Sequence, residues 1–489
     1  MTTFINAFPG YEYVNGKNMY RGVDVGKGGY VYHEAGIYTN VALIDIQSMH
    51  PHSIISMNTF GEYTQHFKDM LDARVAIKHG EFDRARQMMG GKLAPYLDDE
   101  SKAKDLSNAL KTCLNSCYGL TAANFPNPMR DVRNKNNIVA LKGALLMKTL
   151  QDEVQDRGFT VCHIKTDSIK IANATKEIID FAMDFVKPYG YIFEHEATYD
   201  RLCLVNGSTY IAKYASAEWC QNAYGYVPGD NAKAEKKGEL WTATAKQFQV
   251  PYVFKTLFSK EPIEFKDLCE AKEVKTAIYI DMNENLPDVS EYEKELDRLQ
   301  KDIRDPDSRL NNSANFEVEM HRTLARIAEL EDLISEGHDY HFIGKIGDFC
   351  PIKPGRGGGV LVRENKSDDG SVKYDSVTGT LKPDKTPYRW LESEVVKALK
   401  KEDDIDKTYY RKLVDDAVEA ISQYGDFERF VADEPYIDIS SIDYPPDEDP
   451  PWYSEEELKA IREGKSNHIN PELAEFINDD ESEELFNKR

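Results

Sequence analysis

No apolar run in the 489-residue sequence approaches the roughly 18–20 residues that a membrane-spanning helix needs. The opening residues, MTTFINAFPGYEYVNG, lack the basic-then-apolar layout of a signal peptide. Cysteine is scarce and odd in number, seven with no CxxC pair, which argues against a disulfide framework or zinc module and for a reduced, cytoplasmic chain. Cys113 and Cys117, four apart, read as small buried side chains of one helix face. A basic excess is also missing: 61 Lys and Arg stand against 85 Asp and Glu, a net charge of −24, where nucleic-acid binders are usually basic. The acid is unevenly spread. Residues 431–489 hold eighteen acids and five bases, so more than half of the net charge belongs to a Pro-rich tail expected to be disordered.

Apolar residues make up 41% of the chain, enough for a sizeable core, and their spacing predicts alternating helix and sheet. Val41-Ala-Leu-Ile-Asp45 is a buried-strand signature ending in a carboxylate. Residues 62–80 and 101–118 predict two antiparallel helices joined around Gly90-Gly91. Leu141, Leu145, Leu146, Leu150 and Val154 predict a helix over 137–157, ended by Gly158. Strands at 159–164, 169–172, 191–196 and 209–214 and a helix at 176–187 follow. Further on come a charged helical hairpin at 289–335 broken at Asp305-Pro306, a β-rich stretch at 340–390, and helix at 391–430.

The most specific pattern is Lys111-Thr-Cys-Leu-Asn115-Ser116-Cys-Tyr118-Gly119. Spacings of four and three put Lys111, Asn115 and Tyr118 on one helix face. An ammonium, an amide and an aromatic ring suit a nucleoside triphosphate set against a template base. The same spacing also serves an amphipathic helix with an exposed Lys and a buried Tyr.

Upstream lies Asp45-Ile-Gln-Ser48-Met-His50-Pro51-His-Ser53-Ile-Ile55, and downstream Lys165-Thr-Asp167-Ser168 between two strands. In this order the three segments resemble motifs A, B and C of the family B DNA polymerases, D-x-x-S-L-Y-P-S-I-I, K-x-x-x-N-S-x-Y-G and Y-x-D-T-D-S. Gly28-Gly29-Tyr-Val31 is similar to the G-G segment that precedes the family's polymerase domain. The resemblance spans about residues 26–215, is fainter to about 260, and is phage-type in detail. It implies an α+β right-hand polymerase core: a palm with an antiparallel sheet from 1–60 and 124–255, two-helix fingers at 61–123, a mixed helical and β thumb at 256–430, and the tail at 431–489.

The implied reaction is template-directed addition of dNMPs to a primer 3′-end. Phosphoryl transfer of this kind uses two divalent cations about 3.5–4 Å apart, which call for hard oxygen ligands. By the resemblance Asp45 and Asp167 hold two Mg2+ ions, with Mn2+ as a substitute, and the backbone carbonyl of Ile46 adds a ligand. Arg74, Lys78 and Lys111 are expected to grip the triphosphate. Asn115, Tyr118, Ser48, Met49 and His50 are expected around the nucleotide, and Tyr210, Lys237 and Gly238 along the DNA. Primer–template DNA, dNTPs, a separate exonuclease or amino-terminal subunit and other replisome proteins are the implied partners, in the host cytoplasm if the chain is phage-encoded. No membrane is implied.

The departures bear on mechanism. Lys165 replaces the first acid of motif C, and His50 stands where the family has a sugar-sensing tyrosine. The K-K-R-Y segment survives only as Gly207-Ser-Thr-Tyr210. Glu196 matches a family acid near the site, His195 reads as a strand histidine, and Gly355 to Gly359 suits either approach to duplex phosphates or a β-turn. About 25 residues precede the G-G segment, so the expected chain is the polymerase part of a split or truncated enzyme without its own proofreading site. Two other readings stay open: a ribonucleotide-tolerant polymerase, prompted by His50, and a catalytically silent DNA-binding scaffold, prompted by Lys165.

Overall fold

In Val41-Ala-Leu-Ile44 every residue is apolar, a pattern a strand carries when both of its faces are covered. The computed structural model describes residues 7–127, 129, 137–283, 289–313, 315–366, 372–377, 381–382 and 385–433. The acidic tail beyond 433, with its expected disorder, lies outside the described residues. The chain is α+β with antiparallel sheets.

A small sheet of β1 (Tyr11–Val14), β2 (Lys17–Tyr20) and β3 (Val23–Asp24) opens the fold. The central sheet has seven strands: β4 (Val31–His33), β5 (Gly36–Ile46), β6 (Thr160–Lys165), β7 (Ser168–Ala172), β8 (Phe193–Asn206), β9 (Thr209–Tyr214) and β10 (Trp241–Ala243). Their order is β10-β9-β8-β5-β7-β6-β4, antiparallel throughout. A third sheet, ordered β14-β13-β11-β12-β15, follows with β11 (Glu270–Asp281), β12 (Tyr340–Ile352), β13 (Val360–Lys366), β14 (Val372–Ser376) and β15 (Arg389–Glu392).

Period-two alternation sorts β5 between two cores. Ala42, Ile44 and Ile46 pack with Leu141, Leu145 and Val154 of helix Ile138–Asp156 and with Ile178 and Ile179 of helix Lys176–Phe185. Val41 and Leu43 face the other way, with Cys162, Ala197, Tyr199, Leu202 and Ala212. Asp45 shares the parity of Val41 and Leu43, so the strand delivers it to the face opposite the helices.

Helices Thr64–Lys78 and Glu100–Ala122 pack together over Ala73, Ala76, Ile77, Ala103 and Leu110. The expected simple turn between them is instead a helix, Phe82–Gln87, followed by two short 3-10 turns. The strand expected at 191–196 runs on to Asn206, because its later residues stay apolar and paired to β5. The charged hairpin forms as Ser290–Arg304 and Phe316–Gly337, interrupted where Pro306 removes a helical donor. The helix expected over 391–430 forms as three, Ser393–Ala398, Lys407–Ser422 and Phe427–Val431, while Leu391 and Glu392 end β15. Among the described residues, no helix is long and apolar enough to cross a membrane.

Two glycines set distances that matter for the site. At Gly143 a Cβ would lie 2.3 Å from Met49 Sδ, so its absence lets helix Met49–Ser56 sit against helix Ile138–Asp156. Gly29 has φ +145°, and a Cβ there would come within 2.8 Å of Thr166 Cγ2 in the β6–β7 turn. The Thr166 amide donates to Tyr30 O at 2.9 Å, so the Gly28-Gly29 segment clamps that turn. We expect Gly29→Ala to cost about 1–3 kcal/mol through strain and overpacking. Urea unfolding checks this, and an unchanged midpoint would remove Gly29 from the role.

Candidate functional site

The antiparallel register brings the acids together. Asp45 lies opposite Ser168 on β7 and opposite Glu194 on β8. The Ile46 amide donates to Asp167 O at 2.9 Å, and the Gln47 amide to Ile192 O at 2.9 Å, so the end of β5 is held from both sides. Asp45, Asp167, Glu194 and Glu196 line one cleft of about 450 Å³. Burial, then the charges of Asp167, Glu196 and Glu194, push the Asp45 carboxyl up to about 8. Burial also raises Asp167. Burial works against the charge of Glu194 as well, but hydrogen bonds and charge from Lys78 and His79 outweigh it and hold its pKa below the ordinary value.

Cations and donors reach the same cleft from the helical pair. Lys78 Nζ donates to Glu194 Oε2 at 2.9 Å, and Gln47 Nε2 donates to Glu194 Oε1 at 2.6 Å. Arg74 Nη1 donates to Ser48 Oγ at 3.0 Å, while its Nε is buried without a hydrogen-bond partner. A buried, unsatisfied guanidinium donor beside an open cleft favours an anion. Ser48 sits at φ 59° in the left-handed region, which turns the chain from β5 into helix Met49–Ser56. Lys111 and Asn115 are exposed one helical turn apart and line the cleft with Ile46, Met49 and His50.

His50 and Tyr118 stack with ring centroids 4.1 Å apart and 18° between planes. Burial lowers the His50 pKa, favouring the neutral ring. The Tyr118 hydroxyl donates to Asn137 Oδ1 at 2.9 Å, and Asn137 Nδ2 donates to Lys27 O at 2.8 Å. One amide therefore ties the Lys111 helix to the segment ahead of Gly28.

Asp45 and Glu196 also border a second, smaller cleft of about 210 Å³, with Lys165, Lys170, His163 and Tyr210. Lys170 is 3% exposed, and burial lowers its pKa to about 8. Its Nζ donates to His163 Nδ1 at 3.1 Å and lies 4.6 Å from the Tyr210 ring centre. His163, lowered to about 4 by burial and then by the Lys170 charge, is neutral, and its Nε2–H donates to Gly207 O at 3.2 Å.

Thus Asp45, Ile46, Ser48, Met49, His50, Arg74, Lys78, Lys111, Asn115 and Asp167 line one cleft, with Tyr118 stacked at its edge and Tyr210 in the neighbouring one. Lys237 and Gly238 line neither; they end helix Gly229–Lys237, where Gly238 adopts φ 72° and Lys237 pairs with Glu239 at 3.5 Å. His195 is a buried strand histidine bonded to Tyr226 and Thr198, each at 2.9 Å. Gly359 is part of the third sheet's packing, its amide donating to Trp390 O at 2.9 Å. Cys117 is buried as expected, but Cys113 faces out. Sequence reasoning missed Gln47, His79, Asn137, Lys170 and His163, and passed over Glu194 in favour of Glu196. The alternation of Glu194 and Glu196 on a strand was a usable signal for a shared face; the others depend on contacts across the chain.

Among the described residues, no set of three or more His, Cys, Asp or Glu is gathered as a ready metal cage. Without a cation the folded chain holds a proton on Asp45 up to about pH 8, against 3.8 for an ordinary Asp. Between those values the folded state binds more protons than the unfolded one, so this group's contribution to stability falls as pH rises. Asp45→Asn should therefore be more stable than the parent at pH 8 in chelator, with the difference shrinking toward pH 4. Urea midpoints across pH measure it, and a deficit at pH 8 would contradict the assignment.

No family model and no curated protein matches the chain. Among solved structures, it is similar to the family B DNA polymerase from the hyperthermophilic archaeon Pyrobaculum calidifontis, with a TM-score of 0.35 and 11% identity over 80% of this chain and 46% of that one. The chain thus spans less than half the length of that polymerase.

Proposed function

We propose that the chain is a template-directed DNA polymerase of the family B kind, adding dNMPs to a primer 3′-end. The observation that carries this reading is that one cleft gathers Asp45, Asp167, Arg74, Lys78, Lys111 and Asn115 from four distant segments. In this reading the central sheet is the palm, 61–123 the fingers and 256–430 the thumb. A triphosphate enters between the carboxylates and the helical cations. Arg74, Lys78 and Lys111 bind its phosphates by charge-assisted hydrogen bonds, and Lys78 exchanges its contact with Glu194 for the incoming anion. The His50–Tyr118 stack supports the sugar and the new base pair, and Asn115 orients the nucleotide.

The residues fit divalent cations. Asp45, its pKa raised by burial and then by the charge of Asp167, forms a hard oxygen set with that carboxylate and the Ile46 carbonyl, and Mg2+ commonly takes one or two carboxylates and completes its shell with phosphates and water. Asp45, Asp167 and Ile46 O would hold the pair. The chemistry supplied there would be a lowered pKa for the attacking 3′-hydroxyl and neutralisation of the triphosphate. Lys165, bordering the smaller cleft, is assigned to the primer backbone rather than to the metals. The presence of Lys165 and Lys170 beside the acids favours one rival, a catalytically silent DNA-binding scaffold.

Primer extension by the purified chain with Mg2+ or Mn2+ separates the two. Asp167→Asn should lower the rate about 1,000-fold, roughly 4 kcal/mol of transition-state stabilisation. No extension with either metal, alone or with an exonuclease subunit supplied, would leave the scaffold reading. Lys165→Asp should keep the parent's Mg2+ dependence while the salt dependence of primer–template binding loses about one phosphate contact. A large gain in activity would overturn the assignment of Lys165. The ratio of dNTP to rNTP incorporation tests sugar selection at His50.

A further inference from the structure

Outside the proposed active site, two cysteines separated by 81 residues meet in the third sheet, Cys269 Sγ lying 3.0 Å from Cys350 Sγ. Cys269 immediately precedes β11 in extended backbone, φ −120° and ψ 141°. The β11–β12 register pairs Glu270 with Phe349, so Cys269 and Cys350 continue it as directly opposed residues. Such positions in an antiparallel pair have Cα atoms about 4.5–5.5 Å apart, inside the range of about 4.4–6.8 Å that a disulfide accepts. Their burial differs. Cys350 is closed off in the core with Phe349, Trp390 and Tyr410, whereas Cys269 is half-buried and lines a cleft of about 410 Å³. Lys246, Lys266 and Lys397 stand on that cleft against Glu270 and Asp348, a net cationic rim.

We infer that Cys269 and Cys350 are a reversible disulfide site, oxidised by a small disulfide bearing carboxylates, of which oxidised glutathione is the probe. The Cys269 thiolate attacks one sulfur of the small disulfide, breaking its S–S bond and releasing one thiolate. A mixed disulfide remains on Cys269. Cys350 then loses its proton and attacks Cys269 Sγ, forming the internal bond and expelling the second thiolate. Two protein thiols are oxidised by two electrons, one external disulfide is reduced to two thiols, and the protons from the cysteines end on those thiols. Access sets the order, since only Cys269 reaches the cleft. The Cys350 hydrogen bond holds the Cys269 pKa below the usual thiol value, which suits the attacking role. The rim lysines draw the carboxylates of the reagent. The product clamps β11 to β12 at the end of the pair opposite the helical hairpin, which is inserted between Asp281 and Tyr340, and it is independent of the polymerase reading.

The test uses the full chain in oxidised and reduced glutathione. Peptide mapping should give a 269–350 link about 2 Da lighter than the two reduced peptides together, reversed by dithiothreitol, separately from any adduct on exposed Cys113. Of the seven thiols, two should be lost to the link, and exposed Cys113 should account for any further loss. Cys350→Ala should stop at a glutathione adduct on Cys269, and Cys269→Ser should form neither link nor adduct on Cys350. The oxidised chain should melt several degrees above the reduced one. Lys246→Ala should slow oxidation by glutathione disulfide several-fold and leave the rate with uncharged hydroxyethyl disulfide unchanged. Absence of the 269–350 link in fully oxidised glutathione would overturn the site, and equal slowing with both reagents would overturn the cationic selection.

Discussion

Four carboxylates on one partly buried patch of sheet repel one another, and the surroundings of the cleft follow from that repulsion. At an effective dielectric near 20, two like charges about 4 Å apart cost on the order of 4 kcal/mol. The chain meets this in three ways. Glu194 is kept ionised by Lys78, His79 and Gln47. Asp45 is left with a raised pKa, so it carries a proton or calls for a cation. Lys170, buried and bonded to His163, offsets part of the acids' charge from the far side, and a neutral histidine and a tyrosine face cushion its own charge. The helix bearing Arg74 and Lys78 is thus docked by the charge of the sheet as well as by its own apolar face.

The same arrangement reconciles the net charge of −24 with the phosphate-binding role proposed for the cleft. Electrostatic attraction of an anion is decided by the potential within about a Debye length, roughly 8–10 Å at physiological salt. Within the cleft the basic groups of the helical pair face the acids of the sheet, and the acids are those a divalent cation would neutralise. The excess acid of residues 431–489 counts in the total and says nothing of the cleft.

Legibility followed range along the chain. Val41 to Asp45 announced a strand buried on both faces, and the leucine spacing in 141–154 announced the helix that covers one of them, because period is a local property. Lys111, Asn115 and Tyr118 were assigned to one helix face for the same reason. What was misjudged depended on partners. The strand begun near 191 continues to Asn206 because β5 pairs with it, and the connection after Gly80 folds into further helix because Ala85, Leu93 and Leu97 find a core against Ala73 and Ala76. Asn137 gave no signal, since its role is to bridge Tyr118 and Lys27.

By itself the sequence determined the element types, the polar residues carried by each, and the order of three segments whose residue types suit phosphoryl chemistry. Helical and strand periodicities are short-range, so they survive without knowledge of neighbours. Tertiary structure alone decided the other meetings: Asp45 with Glu194 through strand register, Lys170 with His163 through the β6–β7 pair, and Cys269 with Cys350 across 81 residues. Register between distant strands is set by the whole sheet's packing, and a shift of one residue would have sent every one of these side chains to the opposite face.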